Sequence, residues 1–368
     1  MSWDAIIESN DSRWNEILRR FPKHDFYHLP GYVALEAERR GAKACAYVFS
    51  DDQGAFMVPF MESPIPLTLQ PRGGSPLDAL APYGYGGPLV SMEGTEAQKN
   101  DFVAKALECL VDHLRCRGVC SILLRLHPLL ELPLRPFEEC GKLVLHGETV
   151  CMDLRQTPEA MLADMRHYFR NPIRRLEREG FHFEMDFEGR HMQEFAQLYH
   201  ETMVRVHAEP HYFFSEEYFS GFRKTLGERF LLAHVRSPAG DIVSSGIFTV
   251  CSGITQYHLS GNSLGEKGSG ASKLLLYGVA KWAAEQGQEK FNLGGGVGAK
   301  NDSLFLFKSG FSSGRALFHT WRLIVNEPVY LGLADQWEQN NRSVADSIEG
   351  FFPAYRKLLA PADIRRCA

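Results

Sequence analysis

The sequence predicts an α+β protein in which helices flank mixed sheets, and it predicts that arrangement twice. Three observations carry this. Apolar runs of strand character alternate with helical repeats along most of the chain. The strands are mostly joined as hairpins, which argues for mixed rather than purely parallel sheets. The order helix, helix, hairpin, helix, strand recurs in the second half, with one added strand after the hairpin, without obvious sequence identity. At 368 residues, each half is long enough to bury its own core, and 44% hydrophobic with 23% charged residues is ordinary globular composition.

The first domain is expected over residues 1–150. Helices at 13–21 and 31–40 precede the hairpin ACAYVFSDDQGAFMVPFM, turned at DDQG. A Pro- and Gly-rich loop follows at 63–89, then a helix at 97–117 stopped by Gly118, then the strand CSILLRL. In the second domain, 151–326, helices at 158–180 and 192–206 lead to the hairpin FLLAHVRSPAGDIVSSGIFTV. The strand GITQYHLSG, a helix at 271–286 capped by Gly287 and the strand KFNL complete it. Residues 327–368 read as a helical extension packing on the second domain.

A formal net charge of −5 argues against a general nucleic-acid binder but leaves room for a local basic patch. There is no run of 18 apolar residues and the N-terminus is acidic, so no membrane span and a cytoplasmic location are expected. The eight scattered cysteines read as reduced core thiols. His207 and His211 have helical metal-pair spacing, but Pro210 intervenes and no HExxH pattern surrounds them, so no metal is expected.

The segment 291–311, FNLGGGVGAKNDSLFLFKSGF, carries the most chemistry. A buried strand end runs into Gly294, Gly295, Gly296 and Gly298, which allow backbone close to a ligand. Asn301 or Asp302 can cap a helix that turns Leu304, Phe305 and Phe307 inward, with Lys308 at its C-terminal end and Gly310 as its stop. A cation there can stabilise an oxyanion or a phosphate. Gly268, Ser269, Gly270 and Ala271 lie where a helix begins, so free N–H groups and a positive dipole end are expected to meet a donor phosphate. Arg166, Arg170, Arg174 and Arg178 recur every four residues, a stripe able to clamp a polyphosphate or a nucleic-acid backbone; Pro172 disfavours an unbroken helix and separates Arg166 from it.

The strand, glycine run and FK-x-GF ending resemble the second acetyltransferase-like domain of the Fem aminoacyltransferases and their relatives, the acyl-CoA N-acyltransferases. YFRNPIRRLEREG at 168–180 is similar to the basic helix near the start of that domain, and ETMVRVHAEPHYFFSEEYF at 201–219 to its acidic, Arg-bearing helix and aromatic loop. The resemblance is good over residues 150–325 and in outline before them. It implies two tandem acetyltransferase-like (GNAT) domains with a cleft between them, the second holding the donor. It also implies that Lys308, following Phe307, stabilises charge on the carbonyl during acyl transfer; Asp302 and Glu201 are further catalytic candidates read from the sequence. The family's phosphate loop places a basic or Gln residue where Gly265 stands, so only its two glycines, Gly268 and Gly270, are matched.

The reaction implied is N-acyl transfer to an amine on a peptide, cell-wall precursor, amino sugar or small metabolite, through a tetrahedral oxyanion. Aminoacyl-tRNA or acyl-CoA serves as co-substrate and no cofactor is bound tightly. No long helical hairpin is apparent between residues 166 and 287, which turns the reading away from a lipid-linked cell-wall precursor. Tyr83, Tyr85, Arg205, Tyr212 and His258 are the acceptor candidates. The general base stays open among Glu201, Glu209, Asp302, His207, His211, His258 and the substrate. The alternative is a catalytically inactive module binding a phosphorylated ligand.

Overall fold

A computed structural model describes residues 2–65, 69, 76–264, 266–340 and 351–357, with only the backbone of 266–269. The chain forms two compact units, one of Met1–Pro22, Tyr27–Leu145 and His319–Ala368, the other of Lys23–Phe26 and His146–Phe318. The sequence placed boundaries at 150 and 326. The two crossings nearest those boundaries, after Leu145 and after Phe318, lie inside long strands instead, where no turn or linker composition marks them.

In the first unit, β1 (Trp3–Glu8), β2 (Lys43–Ser50), β3 (Gly54–Pro64), β4 (Leu77–Leu80) and β6 (Val119–Arg125) form a sheet in that order, with β5 (Leu89–Met92) on β3. Helices α1 (Arg13–Leu18), α2 (Pro30–Arg39), α3 (Glu96–Cys116) and α4 (Arg135–Cys140) flank it. Both faces of β2 are covered: Cys45, Tyr47 and Phe49 pack with Phe102 and Leu110 of α3, whereas Ala46 and Val48 pack with Trp14 and Val33. That is why β2 reads as a continuous apolar run rather than an alternating one. β1 was not legible because six residues carrying two acids resemble a tail. β4 fell inside the segment expected to be loop, and β5 begins at the last residue of that segment.

The last helix of the described residues, α11 (Glu327–Asn340), packs in the first unit and not, as expected, on the second. Tyr330, Leu333 and Trp337 bury against Ile65 and Cys120 together with Tyr355.

The second unit builds its sheet in the order β7 (Lys142–Asp153), β12 (Lys290–Gly294), β11 (Ile254–Asn262), β10 (Ile242–Cys251), β9 (Phe230–Arg236), β8 (His182–Asp186). β13 (Arg315–Ile324) returns the chain to the first unit, where it pairs with β6. One face of the second sheet is covered by α6 (His167–Arg178) and α9 (Glu266–Glu285) through Phe169, Ile173, Leu176, Leu275 and Val279. The aromatic-rich α7 (Met192–Arg205) and α8 (Glu216–Leu226) complete the unit's larger helices.

The expected helix 158–180 is two helices, α5 (Pro158–Asp164) and α6, broken at extended Met165 and at Arg166 rather than at proline. The Arg166 N–H bonds the Gly310 carbonyl at 2.9 Å, so a long-range contact chose the break. Pro172 lies inside α6, where it withholds only the donor that would meet the Tyr168 carbonyl. No helix among the described residues is long and apolar enough to cross a membrane.

Candidate active site

The ladder between the parallel strands β11 and β12 holds only three residue pairs, ending at Gln256 opposite Asn292, although β11 continues to Asn262. Beyond that pair the strands part, and the glycine run leaves β12 at this opening. Gly294 has φ +76°, which only glycine adopts without strain. Gly296 is required for a different reason. A Cβ on it would stand 2.1 Å from the Lys300 carbonyl oxygen and 2.3 Å from Asp302 Oδ1. Gly296→Ala is therefore expected to lower stability by ~1–3 kcal/mol, read as an earlier urea midpoint.

The loop ends in the short helix α10 (Ser303–Lys308). Its cap is Asp302, whose Oδ1 accepts from Phe305 N at 2.9 Å and whose Oδ2 accepts from Val297 N at 2.8 Å. Asp302 thus ties the glycine loop to the helix start. Phe305 is buried and Phe307 packs with Phe169 and Phe311, whereas Leu304 faces outward, contrary to expectation.

Lys308 is delivered inward. It is only 8% exposed, its Nζ donates to the Gly295 carbonyl at 2.7 Å, and it lies 5.6 Å from the centre of the Tyr257 ring on β11. Burial pushes its pKa down from 10.5 to about 8, partly offset by the Asp302 carboxylate. Tyr257, whose hydroxyl pairs with Ser260 Oγ, is pushed upward by burial and stays protonated.

Behind the loop runs a buried polar chain that sequence reasoning missed. Asn292 Oδ1 accepts from Gly294 N at 3.1 Å, and its Nδ2 donates to Gln256 Oε1 at 2.9 Å. Gln256 Nε2 donates to Asp25 Oδ2 at 2.5 Å, and Asp25 Oδ1 accepts from Phe26 N at 2.6 Å. The polar Gln256 and Asn292 within strands were the available signal; Asp25, 231 residues from Gln256, was not.

The phosphate candidates are arranged differently from expectation. α9 begins at Glu266, so Gly268, Ser269 and Gly270 lie inside its first turns rather than ahead of it, and Gly265 lies outside the described residues. Beyond the backbone, Gly268 and Ser269 also lie outside them. Ala271 is buried, and a Cβ on Gly270 would meet Leu176 Cδ1 at 2.9 Å, so these small residues let α9 pack on α6. On α6, Asn171, Arg174, Glu177 and Arg178 line an open groove of about 620 Å³. Among the described residues, Arg174 and Arg178 form no ion pair; the i,i+4 pair on this helix is Arg175 with Glu179, at 3.8 Å. Arg170 is half-buried, and its Nε has no hydrogen-bond partner among the described residues. Arg166 stands at the N-cap, off the helical stripe.

Of the acceptor candidates, Tyr83 and Tyr85 belong to the first unit, where the Tyr83 carbonyl accepts from Tyr32 at 2.7 Å and Tyr85 meets Tyr27 edge-on at 5.7 Å. The others belong to the second. Exposed Glu201 accepts from Gln197 at 2.9 Å, and Arg205 reaches the Asn262 carbonyl at the end of β11 at 3.2 Å. The Tyr212 carbonyl accepts from Tyr199 at 2.6 Å. His258 stacks on Phe222 at 4.7 Å, and burial pushes its pKa down to about 3, so it is neutral near pH 7. α7 ends at Arg205 and His207 has φ +50°, so His207 and His211 share no helical face.

Residues 163–301 match the acetyltransferase (GNAT) domain family. No curated protein matches the sequence. Three solved structures share the fold over nearly the whole chain. FemX has a TM-score of 0.64 at 14% identity, over 89% of this chain and 99% of FemX. L-PGS from Bacillus licheniformis has 0.54 at 17%, over 89% and 96%. The C-terminal domain of a putative lysylphosphatidylglycerol synthetase from Agrobacterium fabrum has 0.50 at 16%, over 95% and 98%. The chain thus shares the fold of FemX, and its residues 163–301, which span the opened parallel strand pair, match the acetyltransferase (GNAT) domain.

Proposed function

We propose that the protein transfers an aminoacyl group from an aminoacyl-tRNA to the amine of a small molecule or peptide, forming an amide. The observation that carries this reading is the buried Lys308 ammonium held at the β11/β12 opening. A neutral amine attacks the donor carbonyl, whose oxygen becomes an oxyanion. The tetrahedral intermediate collapses by expelling the terminal ribose oxygen of the tRNA, and the proton lost by the amine restores that hydroxyl. Lys308 contributes most at the oxyanion, because a fixed cation shielded from water stabilises developing charge without reorganising. The tRNA donor is supported by the open groove along Arg174 and Arg178, which form no ion pair among the described residues.

A second reading has acyl-CoA as donor and its thiol as leaving group, and the GNAT domain match favours it. An inactive phosphate-binding module is the third. Binding separates them: acetyl-CoA and a pool of charged tRNA are titrated separately into the protein at low and moderate salt. A salt-sensitive tRNA complex without CoA binding supports the first reading. Saturable CoA binding without a tRNA complex replaces it with the second, and binding of neither overturns both.

A further inference from the structure

The second unit holds a histidine and carboxylate cluster that this reaction does not use. Asp186 ends β8, His234 lies on neighbouring β9, and His191 immediately precedes α7. Gly189, at φ +62°, turns the chain between them so that the His191 N–H reaches back to Asp186 Oδ2 at 2.9 Å. We propose that Asp186 Oδ2, His191 Nδ1 and His234 Nε2 form a binding site for one divalent transition-metal ion of the zinc class.

The spacing fits such an ion. His191 Nδ1 is 3.1 Å from Asp186 Oδ2 and His234 Nε2 is 3.6 Å from it. With metal bonds of about 2.0–2.2 Å, ligands of a tetrahedral ion stand roughly 3.4 Å apart, between those two values. All three groups offer atoms within 4.8 Å of one another.

His234 gives independent support. It is 0% exposed and its Nδ1 is engaged with Ser245 Oγ at 2.9 Å, yet Nε2 has no hydrogen-bond partner among the described residues. That buried nitrogen faces a carboxylate at a distance too long for a hydrogen bond, and a cation between them satisfies both. Two imidazoles and one carboxylate form a zinc-type donor set with a fourth position left for water.

Arg236 opposes the ion. Its Nη2 lies 2.9 Å from His191 Nε2, while its Nε donates to Glu184 at 2.5 Å. Donation by Arg236 to Nε2 places the imidazole proton on Nδ1, the atom the metal needs. Binding therefore moves that proton to Nε2 and breaks the arginine contact.

The test is zinc titration of the metal-stripped full-length protein by calorimetry, with cobalt substitution to report tetrahedral geometry through its visible absorption. One equivalent is expected to bind, with at least ~100-fold weaker binding in His234→Asn and unchanged binding in His211→Ala. Arg236→Met is expected to bind more tightly than the unaltered protein. If His234→Asn does not fold, His191→Ala, which leaves the buried pair in place, is expected to show the same loss. Absence of saturable binding, or binding that survives the loss of either histidine, overturns the proposal whatever the outcome for acyl transfer.

Discussion

Lys308→Met lowers turnover by ~10²–10³-fold and changes donor affinity only modestly, because the ammonium acts on charge that exists mainly in the transition state. Steady-state kinetics with the donor found by titration check this; equal turnover in the variant refutes the role assigned to the lysine. The same substitution raises stability. A lysine held at about 8 rather than 10.5 is penalised by roughly 3 kcal/mol while charged, less the hydrogen bond to Gly295 that the variant forfeits.

The pH dependence has a definite sign. Between about 8 and 10.5 the unfolded lysine is protonated and the folded one is not, so the folded state binds fewer protons and stability rises with pH. Below about 8 the penalty is constant, and in the methionine variant the rise across that window disappears. Activity moves the other way: a rate that needs the ammonium declines as pH passes about 8. Urea midpoints and rates collected over one pH series measure both trends.

Arg356→Met destabilises the protein by about 3 kcal/mol, through the first unit alone. Asp78 is 0% exposed and accepts from Tyr355 at 2.7 Å, from Ser121 at 2.8 Å and from the Arg356 guanidinium. The same guanidinium donates to the Ser63 and Pro64 carbonyls at 2.9 and 2.8 Å. Removing it leaves a buried carboxylate without its counter-charge and two carbonyls without this donor. Adding Asp78→Asn to Arg356→Met is expected to recover part of the loss, because the uncompensated charge is then gone. Urea unfolding of the four proteins of this cycle gives the coupling directly, and no recovery would place the cost elsewhere.

Much of the second unit was legible because its signals are local. The β9–β10 hairpin, β11, α9 and β12 each show in a few adjacent residues, and the glycines, Asp302 and Lys308 form one contiguous phrase. The split of α5 from α6 was not legible, since nothing near Met165 breaks a helix more strongly than Pro172 does. A bond from Arg166 to Gly310 decided it across the fold.

The site divides in the same way. Periodicity and turn residues were enough to place a strand, a glycine run and a lysine at a helix end, because those features depend on neighbours within a few positions, and the resemblance of the FK-x-GF phrase pointed to the acyltransferase domain. What the lysine becomes depends on partners far along the chain. Burial beside Tyr257 lowers its pKa, and the hydrogen bond to the Gly295 carbonyl fixes its position. Desolvation and long-range hydrogen bonding arise only when distant strands pair, and for that reason the electrostatics of the site belong to the tertiary structure.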